Sequence, residues 1–296
     1  MAGIIIPVGS ALRDTIEQHA ARDRMIFFVG LPGVGKSLML QQTVLIAATL
    51  GRKVSLLQWD VARIAFEQPD LLERYPEVDG VTHAGIRLAA GSWVRGAIRQ
   101  WAETRSNEKN LLVGEIPLVG NRFVEVARPE SDQAEALLAA SSATFFVPAP
   151  TLELRREVEA ARQREMFNPI HSREAANASP SVLEALMLEI RQLAPRLNIP
   201  SGKHQGYDPK LYLAVYGWLL QHRHFVPLWI RDFLAVEDSP HKLPDGIEDI
   251  VPSSTAVRRY GSALATVSDD ELQARAESWW HLPDIVAAAE ADHVAR

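Results

Sequence analysis

The chain of 296 residues contains no cysteine, which excludes disulfides, thiolate metal sites and cysteine nucleophiles. It has no apolar run able to span a bilayer: the longest, Thr43 to Leu50, is less than half of the ~20 residues a crossing helix needs. The opening Met1-Ala2-Gly3-Ile4-Ile5-Ile6-Pro7 is too short for a signal peptide and lacks its basic flank, so a cytoplasmic location is expected. No G-x-S-x-G element proposes a serine hydrolase. The nine histidines show no metal-binding spacing, and His222 and His224 fall at a helix-to-strand junction that splays them. Internal repeats and low-complexity stretches are also missing.

Positive charge is in short supply as well. Lysine and arginine number 31 against 37 aspartates and glutamates, a net charge of −6. The imbalance sits at one end: from Val236 onward twelve acidic residues face five basic ones, and the preceding chain is near neutral. Such a body can hold a local basic pocket for phosphates but offers no broad basic face to a duplex. The 47% hydrophobic and 23% charged content is that of a soluble globular chain with room for one large domain and an appendage.

Against these absences stands one strong motif. Gly30-Leu31-Pro32-Gly33-Val34-Gly35-Lys36-Ser37 matches the phosphate-loop pattern G-x-x-x-x-G-K-[ST] at every fixed position. Met25 to Val29 before it is rich in strand formers, and Leu38 through Ala48 after it reads as a helix. Glycines let the backbone wrap a polyphosphate and aim several N–H groups at it, at the positive end of a helix. Lys36 would reach the outer phosphates and the Ser37 hydroxyl would take a place on Mg2+.

A helix is expected over 10–21, with Ser10 as its N-cap. Lys53 to Asp60 reads as the second strand, its terminal Asp60 facing the site beyond the carboxyl end or capping the helical segment Val61 to Phe66. Between Thr82 and Glu103 the spacing of Ile86, Ala90, Trp93, Ala97 and Trp101 predicts a helix with a core stripe. His83, Arg87, Arg95 and Arg99 lie largely off that stripe, as solvated side chains or as a basic side for an anionic acceptor. Leu111 to Ile116 is a third strand, with Glu115 near its end as the candidate support for Mg2+. In the loop that follows, Asn121 and Arg122 either touch acceptor or phosphate or start the next helix.

Ser131 to Ala140 reads as a helix with Ser131 and Glu135 near a capping arrangement, and Ala143 to Val147 as a fourth strand closed by Pro148-Ala149-Pro150. A charged helix from Leu152 to Met166, continuing to Arg173, carries Arg155, Arg156, Arg162 and Arg164 as a solvated face or an arginine lid. Helices over 181–193 and 209–221 lead to a fifth strand, Phe225 to Ile230, which Pro227 marks as an edge. Two short helical stretches, about 269–280 and 283–295, end the chain.

This order of features resembles the P-loop kinases of the nucleoside-monophosphate-kinase-like group, over roughly Arg24 to Ile230. The resemblance rests on the phosphate loop with its Pro32-Gly33 pair, on Pro150-Thr151-Leu152-Glu153-Leu154-Arg155-Arg156 as lid entry, and on Asp60. That aspartate is similar to the one such enzymes use to accept the proton of the acceptor hydroxyl. Three features depart from the group. Gln58-Trp59-Asp60 stands where shikimate-kinase-like members have Asp-x-Asp, Glu115 stands where many relatives have Asp, and nothing corresponds to the extension past Asp232. There is no guanine-specific Asn-Lys-x-Asp, which disfavours a GTPase.

The resemblance implies a three-layer α/β P-loop NTPase fold with a five-stranded parallel sheet and a helical lid over about 151–175. The kinase-like domain would span 1–235, with an acidic extension over 236–296 packing on or beside it. It implies an ATP-dependent phosphotransferase acting on a small hydroxyl- or phosphate-bearing acceptor, with ATP and Mg2+ as cofactors. Gly30 through Leu38 would bind the nucleotide, and Ser37 with Glu115 the metal. Lys36, Asp60, Arg155, Arg156 and Arg162 would be catalytic, and Arg63, Arg87, Asn121 and Arg122 would meet the acceptor. The alternative is a nucleotide-dependent regulatory ATPase or switch with a protein partner on the extension. A homo-oligomer fits either reading, and neither involves a membrane or a broad nucleic-acid surface.

Overall fold

The computed structural model describes residues 3–78, 80–167, 180–202, 206–234 and 239–282. Its centre is β1 (Met25–Val29), whose five residues are all buried. A strand apolar on both faces needs cover on both sides. Met25, Phe27 and Val29 enter one core, while Ile26 and Phe28 enter another. Helices α1 (Ala11–Arg22) and α2 (Lys36–Thr49) supply the second of these cores. The first is filled from α3 (Trp59–Phe66), α5 (Ala84–Thr104), α8 (Pro180–Leu193), α9 (Pro209–Leu219) and α11 (Asp269–Glu277). Between α3 and α5 runs the short α4 (Pro69–Arg74). The layers are therefore helix, sheet, helix.

The remaining strands are β2 (Lys53–Gln58), β3 (Asn110–Ile116), β4 (Ala143–Pro150), β5 (His224–Ile230) and β6 (Glu248–Asp249). They form one sheet in the order β5-β4-β1-β3-β2-β6, parallel throughout. The expected α/β class and parallel sheet are present, with six strands in place of five. The sixth comes from the acidic segment: β6 pairs with β2, Ile250 N donates to Leu56 O at 2.7 Å, and Gln58 Nε2 donates to Asp249 Oδ1 at 2.7 Å. Two residues carry no readable alternation, so the sequence offered no sign of this strand.

Three boundaries differ for physical reasons. Strand β2 ends at Gln58, and Trp59 and Asp60 open α3, because Trp59 turns inward to meet the Phe123 ring edge-on at 5.1 Å. Strand β4 runs through its prolines to Pro150. Its ladder with β1 stops at Phe146, so beyond that point a missing N–H costs nothing on the β1 side while pairing with β5 continues. The helix expected over 131–140 shrinks to α6 (Glu135–Leu138). Asp132 Oδ1, rather than Ser131, accepts from Glu135 N at 3.0 Å, and the Glu135 carboxylate is drawn to Arg95 and Arg223. Helix α7 (Leu152–Phe167) occupies the start of the expected lid; its continuation to Arg173, the side chains of Arg162 and Arg164, and the helix over 283–295 lie outside the described residues.

Residues 239–282 are bound into the body at several points. Gln41 Nε2 on α2 donates to Ser239 O at 2.9 Å and Lys242 O at 2.8 Å, and Arg74 pairs with Asp269 at 2.8 Å. Helices α10 (Ser254–Ser262) and α11 pack against α5. The sheet is close-packed at Gly114, where an added Cβ would meet the Phe27 ring at 2.5 Å and Leu57 O at 3.2 Å. Gly114→Ala is therefore expected to cost about 1–3 kcal/mol by overpacking between two central strands. Urea unfolding checks this, and a wild-type midpoint would show that the strands can part at no cost.

Candidate functional site

The helix after β1 lies on one face of the sheet and the chain after β3 on the other, so a crevice opens beyond the carboxyl ends of these two adjacent strands. The motif loop occupies it. Gly33 and Gly35 have φ of 75° and 93°, in the left-handed region that glycine enters without strain. Gly35 is the N-cap of α2 with no side-chain cap, so the first N–H groups of that helix face the loop's hollow. Gly30 N donates to Ile116 O at 3.2 Å, tying the loop to β3. Gly30 is also hemmed in from behind, since a Cβ there would lie 2.1 Å from the Tyr212 hydroxyl of α9.

Lys36 is buried, and its Nζ donates to Leu31 O at 3.0 Å and lies 3.5 Å from Glu115 Oε1. The Ser37 hydroxyl donates to the same oxygen at 3.3 Å. One carboxylate on β3 thus meets both polar side chains, Lys36 and Ser37, that end the motif. The register explains why: Glu115 is paired with Phe28 on β1 and with Gln58 on β2, at the height where the loop begins.

After β3 the chain makes a loop of unusual backbone. Leu118, Asn121 and Phe123 have φ of 65°, 59° and 63°, and Gly120 has 70°. Three side-chain residues in the left-handed region within six positions represent stored strain that the surroundings must hold. Side chains supply that hold. Tyr216 donates to Pro117 O at 2.8 Å, Arg122 Nη1 to Val119 O at 2.9 Å and Arg87 Nη1 to Gly120 O at 2.5 Å. Leu118 and Arg122 exchange backbone hydrogen bonds at 3.0 and 3.1 Å.

The solvated-face expectation for the α5 arginines fails at Arg87 and Arg95, which are 7% and 6% exposed, because the loop and α6 cover that side of the helix. Arg95 is structural: it forks onto Asp132 at 2.6 and 2.7 Å, reaches Glu135 at 2.9 Å, and Glu135 also holds Arg223 at 2.7 Å. Arg99 stays outside with Glu103. Arg87 differs, since burial and the neighbouring Arg122 guanidinium lower its pKa to about 10. Burial also lowers that of Arg122, against the pull of Glu189 and Asp60.

Asp60 sits in the first turn of α3 with a 67% exposed side chain, 3.6 Å from Arg63 and within electrostatic range of Arg122. Arg63 is bonded to Glu67 and lies 3.5 Å from the Thr82 hydroxyl. The structure therefore brings Asp60, Arg63, Arg87 and Arg122 to one side of the crevice. Asn121 is turned away: its Nδ2 donates to Glu125 Oε1 at 3.3 Å. Arg155, 3% exposed, pairs with Glu159 at 2.5 Å and stacks its guanidinium 5.2 Å from the Tyr207 ring, while Arg156 points to solvent.

Four residues in these surroundings went unread in the sequence. Glu189 lies on α8 and accepts from Trp279 Nε1 at 2.5 Å. Tyr212 and Tyr216, four apart on α9, back the phosphate loop and the strained loop; polar-tipped aromatics at helical spacing were the one available signal. Glu125, half-buried, sets its carboxyl against Gly91, where an added Cβ would clash with it. A glycine inside a helix was its only trace. Far from the crevice, His19 bonds Asp23 and Thr144 through the same Nδ1, so that buried cluster forms no relay. Among the described residues no group of three or more His, Cys, Asp or Glu is arranged to hold a metal ion.

Compared with family models, curated proteins and solved structures, the chain has no significant match.

Burial raises the pKa of Glu125, with Arg128 opposing. The folded state then binds this proton more tightly than the unfolded chain, so the stabilising contribution is present below the unfolded pKa and lost as pH rises through the folded one. Glu125→Gln should flatten the fall in stability between acid and neutral pH, and melting temperatures across that range check it. A parallel fall in the variant would place the pH dependence elsewhere.

Proposed function

We propose that the chain is an ATP-dependent phosphotransferase of the P-loop kinase type, acting on a small acceptor held beside the strained loop. The observation that carries this reading is the Glu115 carboxylate, which meets both Lys36 and Ser37 of the phosphate loop at 3.5 and 3.3 Å. A polyphosphate in the loop would receive hydrogen bonds from its backbone and from the first turn of α2, with Lys36 moving from Leu31 O to the outer phosphates. Ser37 and Glu115 offer hard oxygen donors of the kind Mg2+ takes, one or two from protein with water and phosphate completing the shell. When bound, the ion would neutralise charge on the transferring group.

The chain's own residues supply the rest by position and field. Asp60 would orient the acceptor hydroxyl and accept its proton, its exposed carboxylate free to reorient from Arg63. Arg155 would bring a guanidinium to the phosphates from the lid side: its Nη1 is buried with no hydrogen-bond partner. The adjacency of β1 and β3 in the sheet supports the kinase reading of the fold. The switch alternative draws less support, because residues 239–282 are packed into the body and are not a free acidic arm for a partner.

Lys36→Ala is expected to lower ATP turnover by about 100-fold or more while melting as the wild type does. Full activity in that variant would remove the site. Asp60→Asn should retain nucleotide affinity, read by titration calorimetry, and lose transfer by about 100-fold. Because the side chain is exposed, a loss of stability in place of activity would make it a helix residue only.

A further inference from the structure

Five arginines among the described residues are buried: Arg13, Arg87, Arg95, Arg155 and Arg223. Four hold a carboxylate at 2.5 to 2.7 Å. Arg87 alone has none within salt-bridge range, and its Nε has no hydrogen-bond partner. A buried cation without a counter-charge is costly, and proteins keep one where something else supplies the charge.

The second cation makes the arrangement more pointed. A Cβ built on Gly120 would lie 2.7 Å from Arg122 Nη1 and 3.4 Å from Arg87 Nη1, so two guanidiniums from different elements reach a single point. Like charges this close repel, yet both are fixed there. Each donates one Nη1 to a carbonyl of the strained loop, which orients the planar fork and leaves its other donors for a ligand. Glu189 acts on both arginines through space while the Trp279 indole holds its carboxylate, and Glu277 acts on Arg87 as well. Asp60 reaches Arg122 from the open side. The result is two fixed cations side by side, a tethered carboxylate acting on both, and the exposed carboxylate of the proposed base acting on Arg122.

We propose that Arg87 and Arg122 form a binding site for a phosphate monoester, so that the acceptor in the reaction proposed above is itself a phosphorylated small molecule. Paired forks suit a compact dianion better than a single carboxylate, because a tetrahedral phosphate presents oxygens to both at once. The identity of the acceptor rests on the phosphotransferase reading, whereas the oxyanion site does not. The acidic C-terminal segment thereby has a part in the site: through Trp279 it keeps Glu189 from closing onto the pair and competing with the anion.

Inorganic phosphate is the probe, titrated calorimetrically into the full-length Lys36→Ala protein, in which the phosphate loop is disabled. One phosphate per chain should still bind. Adding Arg122→Gln should weaken it by at least about 10-fold, and adding Arg122→Lys, which keeps the charge and loses the fork, by less. Both double variants should still melt cooperatively, each lowered only by the loss of the Arg122 Nη1 hydrogen bond to Val119 O. Loss of all phosphate binding in Lys36→Ala alone, or equal binding in both Arg122 variants, overturns the site. Failure of the phosphotransferase reading looks different: wild type would not bind Mg·ATP, yet phosphate binding that depends on Arg122 would persist.

Discussion

One carboxylate organises the crevice. Glu115 stands at the end of a central strand, within reach of an ammonium and a hydroxyl from the loop on the neighbouring strand. That contact is possible only because β1 and β3 are adjacent and in parallel register, with Phe28 opposite Glu115. The loops and helix that carry the other features leave the ends of neighbouring strands. The phosphate loop leaves β1, the strained loop leaves β3, and α3 leaves the next strand over. A parallel sheet collects strand ends on one edge, so residues far apart in sequence meet without long connections of their own.

The cost of that meeting is visible in the loop after β3. Leucine, asparagine and phenylalanine held at positive φ store strain of order 1–3 kcal/mol each. The surrounding structure offsets it with three hydrogen bonds to loop carbonyls from Tyr216, Arg122 and Arg87. These side chains come from α9, the loop itself and α5, so the loop conformation depends on two helices being correctly docked. The buried network of Arg95, Asp132, Glu135 and Arg223 fixes the far end of the same segment. Both guanidiniums are thereby tied to carbonyls of one braced loop.

Much of this was legible in the chain. The phosphate loop is a local code, glycines where φ is positive and a lysine and serine at the helix start, and it stands where its flanks indicated. The core strands announced themselves by composition and the long helix by period, with errors of up to three residues. Asp60 was displaced from strand to helix because Trp59 had a buried partner, Phe123, 64 positions away that no local pattern reveals. Arg87 and Arg95 lie off the apolar stripe, which left a solvated face and a basic side for an acceptor both open. Whether such a face meets water or another segment depends on what packs over it. Glu189 and Trp279 joined the site from opposite ends of the second half of the chain, by a single hydrogen bond.

By itself, then, the sequence determined the local shape of the motif loop, since backbone freedom at Gly33 and Gly35 and the placing of Lys36 and Ser37 at a helix start need only their neighbours along the chain. It also determined the class of fold, because alternating buried strands and helices leave few ways to hide both faces of a sheet. The tertiary structure alone decided which charges are paired. Arg95 found two carboxylates and Arg87 found none, although both stand on one helix eight residues apart. The difference lies in the segments folded over them, and electrostatic energy in a buried site depends on distances that only the folded chain defines.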